Sequence, residues 1–419
     1  MESERSGARQ AGDRTRVLYL GWSNEAADAL ARHHCDTTFV VAAPDAEGPA
    51  KHGVAGRAVV VVPDPTRVDD VVAGLMRESI DGHDFEFVTT EHEQCIVPAA
   101  VLAEAHGQVG LPVFTAVALR DKFVQKSLVR AAGIPTARCR TVIDVADLRS
   151  TDTPRPFVVK PLAGAGTRLT YAVRDQESLD SAASGIASSG QHGPWLIEEY
   201  VRGGELHVDG VVRDGTIGFL GVGRYLQNLI GIRRGGVVGS LVVDPDTHPR
   251  LYRRARELTA GVLGALGHTD GVFHLEAFDQ GDRLVFGECA GRIGGGMIWE
   301  VAGVKFGVDL YDEWARAVLG RPSGISAGRC PDGRPYGWVH LSARPGRVVS
   351  IPGPDDLRMQ PGVVAAQVSV EPGDTVPDAT TASSFRAARV MMTGASEDLL
   401  AEEMRTLAQW FRNQVQVAS

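Results

Sequence analysis

Residues 271–296 contain two apolar runs, GVFHLEAF and LVFGECA, joined by the turn signal Asp279-Gln-Gly-Asp282 and followed by GRIGGG. Both runs read as buried strands of a hairpin. Yet each carries a carboxylate, Glu276 and Glu288, and the second leads to Arg292. Ionised groups entering an apolar interior cost several kcal/mol each unless they are paired or metal-bound, so a chain that folds this hairpin must bring counter-charges to it. Pairing about the turn puts the two carboxylates near the same end of the ladder, and period-two alternation permits them one face. A hard divalent cation such as Mg²⁺ is the simplest relief for such a pair; the plain alternative is that one is a solvated edge-strand Glu. Gly294, Gly295 and Gly296 let backbone amides approach a ligand closely, and Arg292 adds a bidentate donor. That combination suits an anion, with a glycine-rich bend and a structural Arg as the competing reading.

The supply of cations is peculiar. Of 43 basic residues only five are lysine: Lys51, Lys122, Lys126, Lys160 and Lys305. In so arginine-rich a chain, each lysine raises the question of why a compact ammonium was kept. Lys160 ends the apolar run PFVVK and precedes a loop with Gly164, Gly166 and Thr167, an arrangement suited to a nucleotide phosphate. Its spacing excludes a GxxxxGK[ST] P-loop, and a hairpin with a snorkelling Lys is the bland alternative. Lys122 opens a helix, where a cation is electrostatically misplaced unless an anion is near; an exposed Lys is equally ordinary there. In WLIEEYVRGGELHVDG, backbone groups around Glu198, Glu199 and Val201 could pair with an adenine edge and Glu205 could accept from ribose hydroxyls, unless these acids are simply solvated.

Along the chain, strands over 17–21, 39–43, 58–62 and 85–89 alternate with helical stretches, which predicts a Rossmann-like parallel α/β domain. Its first turn holds only Gly21, so the dinucleotide fingerprint is missing. A helix over 121–132 ends at Gly133-Ile-Pro135, a domain boundary by its stop signals. Strands over 157–160, 169–173, 195–200 and 206–212 follow, with SAASGIASSGQHG read as a mobile connection. Helices are expected over 250–266 and 309–319, and the region from Tyr336 reads as short strands before an amphipathic helix with Leu400, Met404, Leu407 and Phe411 on one face. The expected division is a disordered tail 1–16, an α/β domain 17–118, a central domain 119–325 and a C-terminal α+β subdomain 326–419. A net charge of −9 argues against nucleic acid as an electrostatic partner. No apolar run approaches the roughly 20 residues that span a bilayer, and the polar N-terminus is no signal peptide. Five scattered cysteines without CxxC spacing fit a reducing, cytoplasmic setting.

Taken together and in this order, the segments resemble the ATP-grasp superfamily, and within it the carboxylate–amine ligases that join amino acids. ALRDKFVQKSL resembles the helix whose Lys, here Lys122, contacts the α-phosphate. FVVKPLAGAGTR resembles the lid strand with the second phosphate Lys, here Lys160, and its glycine loop; the lid is expected over roughly 135–199. LIEEYVRGGELHVDG resembles the hinge, with Glu198 and Val201 against adenine and Glu205 against ribose. HLEAF and FGECAGRIGGG resemble the metal hairpin, which implies Glu276 and Glu288 as ligands of Mg²⁺, with Mn²⁺ as the alternative ion. The resemblance further implies that Arg292 holds the transferring phosphoryl group and that the three glycines shape the carboxylate-substrate pocket. It also implies that Glu93 in TTEHEQC approaches the substrate. Arg224 and Arg233 are candidate anchors for a substrate carboxylate.

One departure stands out: the family's Asn two residues after the second metal Glu is Ala290 here. The implied reaction is ATP-dependent peptide or amide bond formation through an acyl phosphate, releasing ADP and phosphate. It would act on amino-acid-like substrates in secondary metabolism such as antibiotic biosynthesis, and a homodimer is compatible with it. The rival activities of such a fold are carboxylation through carboxyphosphate, small-molecule phosphorylation, and ATP binding without turnover.

Overall fold

A computed structural model describes residues 14–54, 58–148, 153–164, 168–234, 236–326, 332–377 and 385–418. Most of the expected tail 1–16, together with Gly166, Thr167 and Cys330, lies outside the described residues; Thr15 and Arg16 already belong to the first strand. The chain forms two compact units, one of residues 1–116 with 315–322 and one of residues 117–314 with 323–419.

In the first unit, strands β1 (Thr15–Leu20), β2 (Cys35–Ala42), β3 (Val59–Val62) and β4 (Phe87–Thr89) form a sheet in the order β3-β2-β1-β4, and each pairing is parallel. This is the parallel α/β arrangement that the alternating pattern predicts. Leu18, Leu20, Val40, Val60 and Val62 from the strands pack with Val71, Leu75, Ala99 and Leu102 from the helices Val68–Arg77 and Ile96–His106. Gly21 turns the chain out of β1 with φ +100, and a Cβ there would lie 2.4 Å from the His92 ring. The expected substrate residue Glu93 belongs to this unit, in the short turn Glu93–Cys95.

The second unit holds β5 (Cys139–Val142), β6 (Phe157–Pro161), β7 (Tyr171–Val173), β8 (Trp195–Glu199), β9 (Gly204–Arg213), β10 (Thr216–Tyr225), β11 (Gly239–Val242), β12 (Gly271–Asp279), β13 (Leu284–Ala290), β14 (Tyr336–Leu341), β15 (Gly346–Ser350), β16 (Val363–Val368), β17 (Thr375–Val376), β18 (Ala388–Thr393) and β19 (Gln416–Ala418). A sheet ordered β5-β8-β6-β7 is covered by the helix Gln176–Ser188. This corrects the expectation of a mobile connection at SAASGIASSGQHG, since residues 181–188 are helical. Asp175 and Ser178 form a capping box, and Leu179, Ala182, Ala183 and Ile186 repeat at helical spacing into the core with Phe157, Trp195 and Ile197. The small residues that resembled linker composition are the buried face of a helix.

The largest sheet runs β13-β12-β9-β10-β11-β14-β18-β16, so the strands after Tyr336 continue the sheet that begins with the Glu276–Glu288 hairpin. Its remaining core lies under the helix Glu397–Gln414, where Leu400, Met404, Leu407 and Phe411 pack on Val339, Leu341 and Val390. A small sheet, β17-β15-β19, completes the unit. Among the described residues no helix is long and apolar enough to cross a membrane. Cys35, Cys95, Cys139 and Cys289 are free thiols.

Candidate active site

The hairpin register settles the question of faces. Glu276 on β12 is the direct cross-strand partner of Glu288 on β13, with a bulge immediately after at Glu276/Ala277. On the other side of β12, Glu276 pairs with His207 of β9, His274 with Asp209 and Phe278 with Glu205. Period-two alternation therefore collects Glu205, His207, Asp209, His274, Glu276 and Glu288 on one face of the sheet.

Three of the five lysines meet this face. The helix Lys122–Ala131 starts where the amides of Phe123 and Val124 donate to Asp121 Oδ1, at 2.8 and 2.9 Å, and this cap fixes the position of Lys122. Lys122 Nζ lies 3.3 Å from Glu288 Oε2 and donates to the carbonyl of Gly164 at 3.0 Å. Lys160, at the end of β6, lies 2.7 Å from Glu198 Oε1 and 3.7 Å from Glu288 Oε2. Lys126 lies one helical turn beyond Lys122 and is fully buried. It donates to the carbonyl of Gly287 at 2.7 Å and sits 3.0 Å from Glu198 Oε2. The other two lysines lie elsewhere. Lys51 is 76% exposed beside Glu47, and Lys305 is a buried strut held by Asp244 and the carbonyls of Asp332 and Arg334.

The charges set one another's protonation. Burial opposes charge on Glu288, but Lys122, Lys160 and Lys126 hold its carboxyl down at about 2. Glu198 is likewise lowered against its burial by Lys126 and Lys160. Burial pulls the Lys126 ammonium down, whereas the carboxylates of Glu198 and Glu288 outweigh burial at Lys160 and raise it. Glu205 carries the opposite imbalance: burial, then the negative charge of Glu276, push its carboxyl up to about 8. Its Oε2 accepts from the Leu229 amide at 2.6 Å. Glu276 and Glu288, opposite each other on the ladder, offer hard oxygen ligands, a donor pair that fits Mg²⁺.

A buried polar chain extends from the hairpin. Tyr225 donates to Glu276 Oε1 at 3.3 Å, and His274 Nε2 lies 3.6 Å from the same oxygen. His274 Nδ1 donates to Asp209 Oδ1 at 2.8 Å, while Asp209 Oδ2 lies 2.5 Å from His207 Nδ1. Burial would strip His274 of its proton, but the charge of Asp209 raises it to about 10. These neighbours explain the glycines. A Cβ on Gly294 would come within 2.4 Å of Asp209 Oδ1 and 2.7 Å of His274 Nδ1. Gly296, at φ +79, would meet the Trp338 ring at 2.7 Å, whereas Gly295 faces open space. Arg292 is half-buried, with Nη1 donating to the Ile293 carbonyl at 2.9 Å. Ala290, where the resemblance leads one to expect Asn, is the cross-strand partner of His274 and lies beside its imidazolium.

The structure gathers Lys122, Lys160, Gly164, Glu198, Glu205, Glu276 and Glu288 into one constellation, but the hinge residues divide. The carboxylate of Glu198 faces two lysines, while that of Glu199 turns outward to Arg138, whose Nε donates to it at 2.6 Å. Val201 is half-buried just past the end of β8. Arg224 is not brought to the face: it alternates with Tyr225 on β10 and is exposed. Arg233 lies in the helical turn Leu229–Arg234, and its side chain is outside the described residues. Lys126, His207, Asp209, Tyr225 and His274 were not singled out from sequence. The signal for Lys126 is the four-residue spacing from Lys122 in a lysine-poor chain, and for His207, Asp209 and His274 the two-residue spacings along the strands from Glu205 and Glu276; Tyr225 enters only through the register of β10 and has no local signal.

Residues 339–418 match a family model described as L-amino acid ligase C-terminal domain 2. The chain is similar to the L-arginine-specific L-amino acid ligase of Bacillus subtilis, at 26% identity over 340 residues, covering 79% of this chain and 80% of the relative. It is also similar to the formate-dependent phosphoribosylglycinamide formyltransferase of Sodalis glossinidius, at 26% identity over 342 residues, 76% of this chain and 83% of that one. Among solved structures, the L-amino acid ligase from Bacillus licheniformis superposes with a TM-score of 0.78 at 19% identity, covering 97% of this chain and 99% of that one. A carboxyaminoimidazole ribonucleotide synthase from Aspergillus clavatus, complexed with ATP, reaches 0.73 at 16% identity over 95% of this chain and 99% of that one.

Proposed function

We propose that this chain, which has the ATP-grasp fold, is an ATP-dependent carboxylate–amine ligase that forms a peptide or amide bond between amino-acid substrates and releases ADP and phosphate. The observation that carries the reading is the environment of Glu288: it faces Glu276 across the ladder and holds Lys122 and Lys160 at 3.3 and 3.7 Å. Acidic metal ligands and buried ammonium groups at one point suit a polyphosphate with its cation. Glu276 and Glu288 would hold Mg²⁺, which when bound neutralises phosphate charge.

In this reading Lys160 and Lys122 bind phosphate oxygens, Glu205 accepts from the ribose, and the backbone at 199–201 meets the adenine. Lys126 fixes Glu198, which in turn orients Lys160. One substrate carboxylate takes the γ-phosphoryl group of ATP, with Arg292 stabilising the transferring charge. The amine of the second substrate then attacks the acyl carbon and phosphate departs. No protein nucleophile takes part, so catalysis here is positioning and electrostatics.

The test is nucleotide turnover by the full chain with ATP, Mg²⁺ and pooled L-amino acids, with products weighed by mass spectrometry. ADP, phosphate and a product equal to two substrates minus water are expected. Turnover that requires bicarbonate instead would replace the reading with a carboxylation.

A further inference from the structure

The polar chain behind Glu276 runs from the backbone of one strand to a single carboxylate oxygen. The Ser240 hydroxyl donates to the carbonyl of Arg224 at 3.1 Å and lies 2.6 Å from His207 Nε2. His207 and His274 take the two oxygens of Asp209 through their Nδ1 atoms, at 2.5 and 2.8 Å. His274 Nε2 then faces Glu276 Oε1 at 3.6 Å, an ion-pair distance, and the Tyr225 hydroxyl donates to that same oxygen at 3.3 Å. The Tyr225 ring leans on the His207 ring, with centroids 5.0 Å apart, so the two branches brace each other.

Two glycines on different elements make room for this chain. A Cβ on Gly223 of β10 would lie 2.0 Å from His207 Nε2, as one on Gly294 would strike Asp209 and His274. His207, Asp209 and His274 are all buried, and each is satisfied within the protein, so the chain is a support and not a binding surface. What it supports is asymmetric. Oε1 of Glu276 is held twice, while Oε2 has no hydrogen-bond or ion-pair partner among the described residues. Glu288 divides in the same way across the ladder. Its Oε2 faces Lys122 and Lys160 at 3.3 and 3.7 Å, and its Oε1 has no such partner among the described residues. The pair therefore presents one uncommitted oxygen from each strand.

We propose that Tyr225 and His274 are positioning residues for the cation: by fixing Oε1 of Glu276 they leave Oε2 as its single donor, with Asp209 and His207 holding His274 in place. The proposal rests on the reading of Glu276 as a ligand of Mg²⁺. That ion demands a near-ideal octahedron, and a glutamate free to turn about its last bond would offer it either oxygen or both. Groups that orient a ligand in this way govern metal affinity by about 10–100-fold.

The test measures Mn²⁺ binding to the full chain in the presence of ADP, where no turnover occurs, from the electron paramagnetic resonance signal of the free ion. Tyr225→Phe removes only the hydroxyl, and His274→Asn keeps a donor for Asp209 but none for Glu276. Each is expected to bind Mn²⁺ about tenfold more weakly, and the Mg²⁺ concentration that half-saturates turnover rises by the same factor. His274→Gln, which returns an amide nitrogen near the place of Nε2, recovers part of the loss. A packing defect alone lowers the melting temperature and moves neither number. Unchanged Mn²⁺ affinity in Tyr225→Phe overturns the positioning role, whether or not His274→Asn folds, and leaves the metal reading intact. Wild-type affinity in Glu276→Gln, or no Mn²⁺ bound by the wild type, overturns the metal reading and the positioning role with it.

Discussion

Glu198 is a single anion between two buried cations, and this predicts an asymmetry between substitutions. Its oxygens lie 2.7 Å from Lys160 Nζ and 3.0 Å from Lys126 Nζ. At an effective dielectric of about 20 these attractions are about 6 and 5.5 kcal/mol before desolvation. Glu198→Gln removes both at once and leaves two ammonium groups facing each other. Loss of one partner from a buried pair typically costs about 3–5 kcal/mol, which lowers the melting temperature by about 10 °C in a domain of this size. Lys126→Met is different. Burial already lowers the Lys126 pKa against the pull of Glu198, so desolvation offsets most of that pair's attraction. Methionine fills similar volume without that penalty, and Glu198 keeps Lys160; the expected cost is about 1–2 kcal/mol. Thermal melts and urea titrations of both variants check the order. A Glu198→Gln protein as stable as wild type, or a Lys126→Met protein less stable than Glu198→Gln, would refute the reasoning.

Two further predictions concern the same face. Gly294→Ala places a methyl 2.4 Å from Asp209 Oδ1 and lowers both stability and turnover, whereas Gly295→Ala meets nothing within 4 Å and leaves the fold intact; melting curves of the pair decide it. In metal-free protein, Glu205 binds its proton more tightly when folded, with a pKa of about 8 against an unfolded value near 4.5. Its contribution to stability is full below that unfolded value and is lost as pH rises through 8, and His274, raised to about 10, adds a loss of the same sign above about pH 6.5. The melting temperature is therefore expected to fall between about pH 5.5 and 8.5. That slope should be shallower in Glu205→Gln, and Mg²⁺ should stabilise more at the upper pH; a melting temperature that climbs over this range would contradict the assignment.

The parts of the site legible in sequence are those written locally. The Glu276–Glu288 pairing follows from one short turn and a period of two, and the importance of Lys122 and Lys160 shows in the scarcity of lysine. Lys126 was equally scarce, but its burial depends on β13 lying against the helix, a contact 161 residues away in sequence. His207 and Asp209 enter through the pairing of β9 with β12, and Tyr225 and Ser240 through β10 and β11 joining the same sheet. Such non-local registers leave no mark in either strand's own pattern. The helix Gln176–Ser188 was hidden by its Ser, Gly and Ala content, because tertiary burial of four small or aliphatic residues outweighs weak propensity. Arg224 illustrates the converse: its type suited an anchor, but strand alternation with Tyr225 turns it outward.

The central claim is that a substrate carboxylate is phosphorylated, and oxygen tracing tests it directly. The full chain is supplied with ATP, Mg²⁺ and amino acids labelled with ¹⁸O in their carboxylates, and the released phosphate is weighed. Phosphorylation of the carboxylate followed by attack of the amine transfers one labelled oxygen to each inorganic phosphate. Label found in AMP would instead mean adenylation, and unlabelled phosphate would mean that no acyl phosphate forms; either result contradicts the account.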